Sequence, residues 1–244
     1  MESRKNLLVI IPAHNEERNI RKVFDRLERN KTAEFADILV IDDASFDGTG
    51  KAAEERGYTL LTNRRRLGYG RTLQQGYRYA LAGDYRYVIQ MDADGQHDPC
   101  NIPRIYERLR EKDIPDIVLA SRFLEGSSDF PVSVPKKAAY AIFRAVIRAV
   151  TGRKIADPTT GLQGLGRRAF AYYAEEGHYD KYPDANMVIQ MLLLGFRIVE
   201  MPAVMHVRTD GRSMHHGLGA VLYMIRMFCS IIIVIFRVKI LKNS

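Results

Sequence analysis

The sequence predicts an α/β protein built on an open, mostly parallel β-sheet with helices on both faces. Three observations lead there. Short, wholly apolar runs alternate along the chain with segments of helical periodicity, the pattern of strand–helix–strand units. The runs carry no polar alternation, as expected of strands covered on both faces. Three of them end in acidic loops, at Glu16, at Asp42 and Asp43, and at Asp92 and Asp94, and sheets of this kind bind ligands beyond the carboxyl ends of their strands.

Residues 7–11 form the first run, followed by Pro12-Ala13-His14-Asn15-Glu16. Asn15 is the expected N-cap of a helix to about residue 30, with Ile20, Val23, Phe24 and Leu27 on one face. A second strand spans 38–41, and a helix opens at Phe46-Asp47-Gly48-Thr49 and ends near Arg56. A short strand at 60–62 precedes Asn63-Arg64-Arg65-Arg66-Leu67-Gly68-Tyr69-Gly70, and a helix covers 71–82. The strand beginning at Tyr87 runs into Asp92-Ala93-Asp94-Gly95. A helix over 102–112 and a strand over 116–120 follow, then Ser121-Arg122-Phe123. Residues 124–135, rich in Gly, Ser and Pro, predict a mobile loop. A helix over 136–150, a turn at 157–161, a strand at 162–165 and a helix over 168–175 come next. Tyr182-Pro183-Asp184 caps a helix to about Leu194, and 197–201 returns as a strand.

Composition bounds the function without choosing it. The 244 residues carry a net charge of +8 with an ordinary apolar fraction of 46%, which suits an anionic partner. Cys100 and Cys229 stand alone, without CxxC or Cys/His spacing, so neither a disulfide framework nor a zinc site is signalled. The few apolar residues before Pro12 are too short a run for a signal peptide.

The stretch from Tyr87 to Pro99 carries the sharpest chemistry. Two carboxylates cannot both face an apolar core unpaired. If the chain stays extended past the strand, Asp92 and Asp94 point to one side and offer hard oxygens to Mg2+ or Mn2+. A solvated turn is the alternative, since Asp and Gly are turn formers.

The last residues differ in kind. The uncharged run 227–236 is ten residues long, well short of the roughly 20 of a membrane-spanning helix. With Arg226, Arg237 and Lys239 around it, it predicts an interfacial amphipathic helix meeting anionic headgroups. A buried core helix or an oligomer contact is the alternative. The division is 1–213 for the α/β domain and 214–244 for the hydrophobic, basic segment.

Taken together, IIPAHNEERNI, VIDDASFDGTG, NRRRLGYGRTLQQG, QMDADGQHDPCNIP, ASRF, DPTTGLQGLGRRAF and GFRIVEMPAVMHVRTDGRSM resemble family-2 glycosyltransferases of the GT-A fold. The likeness is to the branch of dolichyl-phosphate mannosyltransferases and bacterial surface-polysaccharide enzymes. The resemblance implies that Pro12, His14, Glu16 and Asp43 contact the base or ribose of a nucleotide, with Gly68 and Gly70 letting backbone approach it. It makes Asp92 and Asp94 the metal-binding DxD pair for Mg2+ or Mn2+, Asp94 the direct ligand. Ala93, Gln96, Arg122, Arg208 and Arg212 fall on the donor sugar and diphosphate, where guanidinium suits a bidentate clamp. His97 is either a further ligand or a surface histidine. The family's catalytic base falls at Asp184, but Asn186 stands where relatives carry a second acid; Asp157 is the fallback base. An anionic lipid-phosphate acceptor would need no base.

The implied activity is an inverting, metal-dependent transfer of a sugar from a UDP- or GDP-linked donor to polyprenyl phosphate or a lipid-linked glycan. It would proceed at the cytoplasmic face of the membrane, the enzyme being bound peripherally. A soluble or protein acceptor and a noncatalytic sugar-nucleotide binder are the rival readings, and a membrane-protein partner or a homo-oligomer stays open. A nucleotidyltransferase would carry a glycine-rich loop after the first strand, where this chain has PAHNE. Nucleic acid is not an expected partner, since Arg64-Arg65-Arg66 lacks aromatic platforms beside it.

Overall fold

A computed structural model describes residues 5–128, 131–132, 134–207 and 218–243. Its seven-stranded sheet has the order β3-β2-β1-β4-β6-β5-β7. The central strand β1 (Leu7–Ala13) is buried along its whole length, which is why its sequence is continuously apolar rather than alternating. It pairs in parallel with β2 (Ala36–Asp42) and β4 (Tyr87–Gln90). β3 (Thr59–Thr62), shorter and more exposed, forms one edge beside β2. β5 (Ile117–Ser121) pairs in parallel with β7 (Ile198–Pro202). Only β6 (Gln163–Gly166) runs against its neighbours, β4 and β5.

The two faces of β1 feed different cores. Leu8 and Ile10 join the layer of Leu73, Tyr77, Phe143, Phe170 and Ile189. Leu7, Val9 and Ile11 join that of Ile20, Phe24, Ala52 and Ile105, the two-residue alternation of an extended chain. The first layer is carried by α4 (Tyr69–Ala82), α6 (Val134–Thr151), α7 (Arg167–Ala174) and α8 (Ala185–Leu193). The second is carried by α1 (Glu17–Arg29), α3 (Thr49–Glu55) and α5 (Asn101–Leu109).

Some local expectations change. Asn15 is not the N-cap of α1: its φ is 55°, Glu16 caps without a side-chain bond, and the Asn15 amide oxygen instead accepts from Phe46 N–H at 3.0 Å. The four-residue helix α2 (Thr32–Phe35) was not expected. It is too short to show periodicity. The supposed mobile loop begins pinned, because Ser128 N–H donates to Ala203 O and Ser127 Oγ to Ser121 O; residues 129–130 and 133 lie outside the described residues.

The last helix, α9 (Leu218–Asn243), packs on α8 through Met227, Ile231, Val234 and Val238. On its far side Ile225, Ile232, Ile233 and Phe236 are exposed. The helix thus shows apolar rows to the core and to the outside, where an amphipathic helix would show a polar outer face. Among the described residues no helix is long and apolar enough to cross a membrane.

Candidate active site

The carboxyl ends of β1, β2 and β4 lie side by side, so their acidic loops meet at one edge of the sheet. Pro12 is buried in β1, past the residues that pair with β4. His14 follows, its Nδ1 donating to the Asp43 carbonyl at 2.8 Å. Since a carbonyl only accepts, Nε2 is left to accept from the Asn15 amide at 3.1 Å. Glu16 accepts from the Asn19 amide at 2.6 Å.

Asp43 sits beneath the loop that enters α4. Its oxygens accept from Leu67 N–H at 2.7 Å, Gly68 N–H at 2.8 Å and the Asn63 amide at 2.9 Å. Burial alone would raise its pKa, but these donors and the Thr72 hydroxyl outweigh it and hold the carboxyl below its ordinary value. Gly68 has φ 88°, a conformation open to glycine at no steric cost. Gly70 meets a close approach from within the protein. A Cβ there would lie 2.1 Å from the Asp180 carbonyl oxygen and 2.8 Å from that of Lys181. The chain that comes close to Gly70 is the protein's own.

The chain does not stay extended through Asp92 and Asp94. β4 ends at Gln90, and residues 93–95 turn, so a turn, not the pleat of a strand, places the two carboxylates. Asp92 Oδ1 accepts from the Tyr69 hydroxyl at 2.7 Å. Burial, reinforced by the Asp92 charge, pushes the Tyr69 phenol well above its ordinary value and keeps it a donor. Asp94 Oδ1 accepts from Gln96 N–H at 3.0 Å. Ala93 is buried between them. His97 is buried rather than on the surface, and its Nδ1 accepts from Asp92 N–H at 3.2 Å. The turn is held from the β7 side: His97 bridges to Met205, His206 N–H donates to Gln96 O at 2.7 Å, and His206 Nε2 lies 2.5 Å from Asp98 Oδ2.

Among the described residues no three of His, Cys, Asp and Glu converge on a point where they could cage a cation. A Mg2+ or Mn2+ bridging to a diphosphate needs only one or two carboxylates, with phosphate and water supplying the remaining oxygens. Asp92 and Asp94 are hard oxygen donors, both partly exposed at the sheet edge, and they fit that demand.

Arg122 and Asp157 meet each other rather than a ligand. The guanidinium donates from Nε and Nη2 to the two carboxylate oxygens at 2.7 and 2.6 Å, and Arg122 N–H adds a third bond at 2.9 Å. The Asp157 side chain has no exposed surface and that of Arg122 is 12% exposed. Asp157, the expected fallback base, is thus enclosed by Arg122 and presents no surface to an acceptor, and the Arg122 guanidinium is engaged by Asp157 and Thr159.

Asp184 does cap α8, its carboxylate accepting from Ala185 N–H at 3.0 Å. The chain leading to Asp184 rests on the DxD side of the site: the Asp180 and Lys181 carbonyls lie against Gly70, next to Tyr69, which bonds Asp92. Arg208 and Arg212 lie outside the described residues.

Tyr69, Gly161 and Asn186 also shape the site. Tyr69 carried no signal beyond following Gly68. Gly161 is closely approached by Asp92, whose Oδ2 would stand 2.4 Å from a Cβ there. Asn186 is wholly buried, and its amide group serves Asp184 N–H, Met187 N–H, Asp180 and Ser230. The absent acid at 186 was the signal. An amide can donate to Asp180 where a carboxylate would repel it.

The sequence profile of Glycosyl transferase family 2 matches residues 8–173. The chain is similar to the undecaprenyl-phosphate mannosyltransferase of Micrococcus luteus, with 32% identity over 219 residues, 86% of this chain and 88% of that one. Its fold is similar to glucosyl-3-phosphoglycerate synthase from Mycobacterium tuberculosis, solved with Mn2+, UDP and glucosyl-3-phosphoglycerate. There the TM-score is 0.67 at 18% identity, over 96% of this chain and 80% of that one. A mannosyltransferase from Pyrobaculum calidifontis, solved with GDP-Man and Mn2+, gives 0.61 at 20% identity, over 88% and 60%. The structural likenesses at these identities show the GT-A fold; the profile and the Micrococcus relative show the family. The chain belongs to glycosyl transferase family 2 and is a glycosyltransferase.

Proposed function

We propose that the protein transfers a hexose, mannose being the first candidate, from a nucleoside-diphosphate donor to polyprenyl phosphate. The observation that carries this is the partly exposed Asp92–Asp94 turn at the carboxyl edge of the sheet, with the segment that leads to Asp184 packed on Gly70 next to it. Support for the lipid phosphate comes from the Micrococcus relative, whose name gives undecaprenyl phosphate as its substrate. The exposed apolar row and the cations of α9 support a peripheral position on a membrane surface, and the cytoplasmic face is the one we propose.

In this reading His14, Glu16 and the loop held by Asp43 border the nucleotide, and Asp94 with Asp92 would hold a Mg2+ or Mn2+. When bound, the cation offsets the negative charge of the departing diphosphate. The acceptor's phosphate oxygen attacks the anomeric carbon, the bond from that carbon to the diphosphate oxygen breaks, and the configuration inverts. The nucleophile is already an anion, so no proton has to be removed. The Asp184 carboxylate then shapes the acceptor side, and its N-cap bond fixes where it points.

The test is purified protein in vesicles containing undecaprenyl phosphate, given labelled GDP-mannose or a panel of UDP-sugars. Label should pass from one donor into the lipid extract. Label released as free sugar or joined to a water-soluble acceptor, with none in lipid, would refute the lipid-phosphate reading.

A further inference from the structure

We infer that α9 is part of the frame of the active site, with Arg226, Ser230 and Arg237 as positioning residues that hold residues 177–186 against the Asp92 turn. The inference rests on the proposed reading of this edge as the acceptor side.

These three residues follow one another at intervals of whole helical turns, each one position before a residue of the buried seam Met227, Ile231 and Val238. Each grips the same segment. The Arg226 guanidinium stacks 3.4 Å from the centre of the Tyr182 ring. The Ser230 hydroxyl donates to Asp180 Oδ2 at 2.6 Å and accepts from the Asn186 amide at 2.8 Å. Arg237 donates to Gly177 O at 2.8 Å and to the side-chain oxygen of Gln190.

Residues 175–184 have no helix or strand of their own, so side-chain contacts set their path. From Asn186 the chain of contacts passes to Asp184 N–H at 2.8 Å. The Asp180 and Lys181 carbonyls rest on Gly70, beside Tyr69, which bonds Asp92. Tyr77 donates to Gln90 at the end of β4 and accepts from the Tyr179 hydroxyl at 3.1 Å.

The opposite face of α9 presents Ile225, Ile232, Ile233 and Phe236 to the outside. The helix carries Arg226, Arg237, Lys239 and Lys242 and no acidic residue. The helix that meets lipid in the proposed reading thus also fixes the geometry on the acceptor side.

The test compares full-length protein with Ser230→Ala and Ser230→Thr by amide hydrogen exchange, donor binding and steady-state transfer. Ser230→Ala should speed exchange across 177–186 about tenfold and leave 87–99 unchanged. It should raise the acceptor KM several-fold while donor Kd stays within about twofold, and Ser230→Thr should restore both. Unchanged exchange across 177–186, or donor and acceptor constants weakening together, would overturn the inference. A wild-type protein that moves no sugar to lipid would refute the proposed function instead, and the exchange experiment would still decide the role of Ser230.

Discussion

Arg122 and Asp157 are joined through both guanidinium nitrogens that face the carboxylate, at 2.7 and 2.6 Å, with the carboxylate wholly buried and the guanidinium nearly so. Removing one partner from such a pair strands a buried charge. Arg122→Ala and Asp157→Ala should each lower stability by about 3–5 kcal/mol, and the double variant by less than the sum. Urea unfolding of the three variants measures this. If Asp157→Ala instead folds as stably as the wild type and loses only turnover, the residue is chemical and not structural.

Gly70 offers a test of close approach. Alanine favours a helix over glycine by about 1 kcal/mol, but its Cβ would lie 2.1 Å from a backbone oxygen. Overpacking costs about 1–3 kcal/mol, so the clash should win. Gly70→Ala should melt lower and lose transfer activity as residues 180–181 are pushed out. A variant of equal or higher melting temperature and full activity would contradict the contact.

Much of this was legible in the chain, for physical reasons. Residues 7–11 and 38–41 are apolar without alternation because helices cover both sides of the sheet, and that requirement is written into every residue. Asp184 could be recognised as a cap because capping is a local affair, settled by the residue and the helix that follows. The pairing of Arg122 with Asp157 was hidden because 35 residues separate them, and each looked like a site residue when considered alone. Asn15 failed as a cap because the Phe46 N–H, on a distant loop, competes for its side chain. Whether the chain stays extended through Asp92 and Asp94 is not legible, because the apolar run continues to Met91 although pairing stops at Gln90.

Asp43 predicts an acid dependence. Its folded carboxyl sits below the unfolded value of about 3.9. Its contribution is therefore complete above that pH and is lost as pH falls through the depressed folded value. Asp43→Asn should be less stable at neutral pH by about 1.5–3 kcal/mol and lose less on further acidification than the wild type. Parallel unfolding curves at pH 7 and near pH 3.5 make the comparison; equal acid sensitivity would show that Asp43 is not the linked group.

Asp184 separates two kinds of acceptor. With a lipid phosphate as nucleophile, Asp184→Asn keeps the N-cap oxygen and should lower kcat by less than about tenfold, with no loss of the acidic limb of the pH profile. A fall of about a hundredfold or more, with that limb abolished, would identify Asp184 as a general base and point to a hydroxyl acceptor.

The central claim is that the Asp92–Asp94 turn holds the donor's diphosphate through a divalent cation. Its most direct measurement is donor turnover with Mn2+, Mg2+ or EDTA, by the wild type and by Asp94→Ala, with undecaprenyl phosphate present. Turnover of one nucleotide sugar should need the cation and drop by about a hundredfold or more in Asp94→Ala, with the fold intact. Turnover indifferent to EDTA and to the substitution would contradict it.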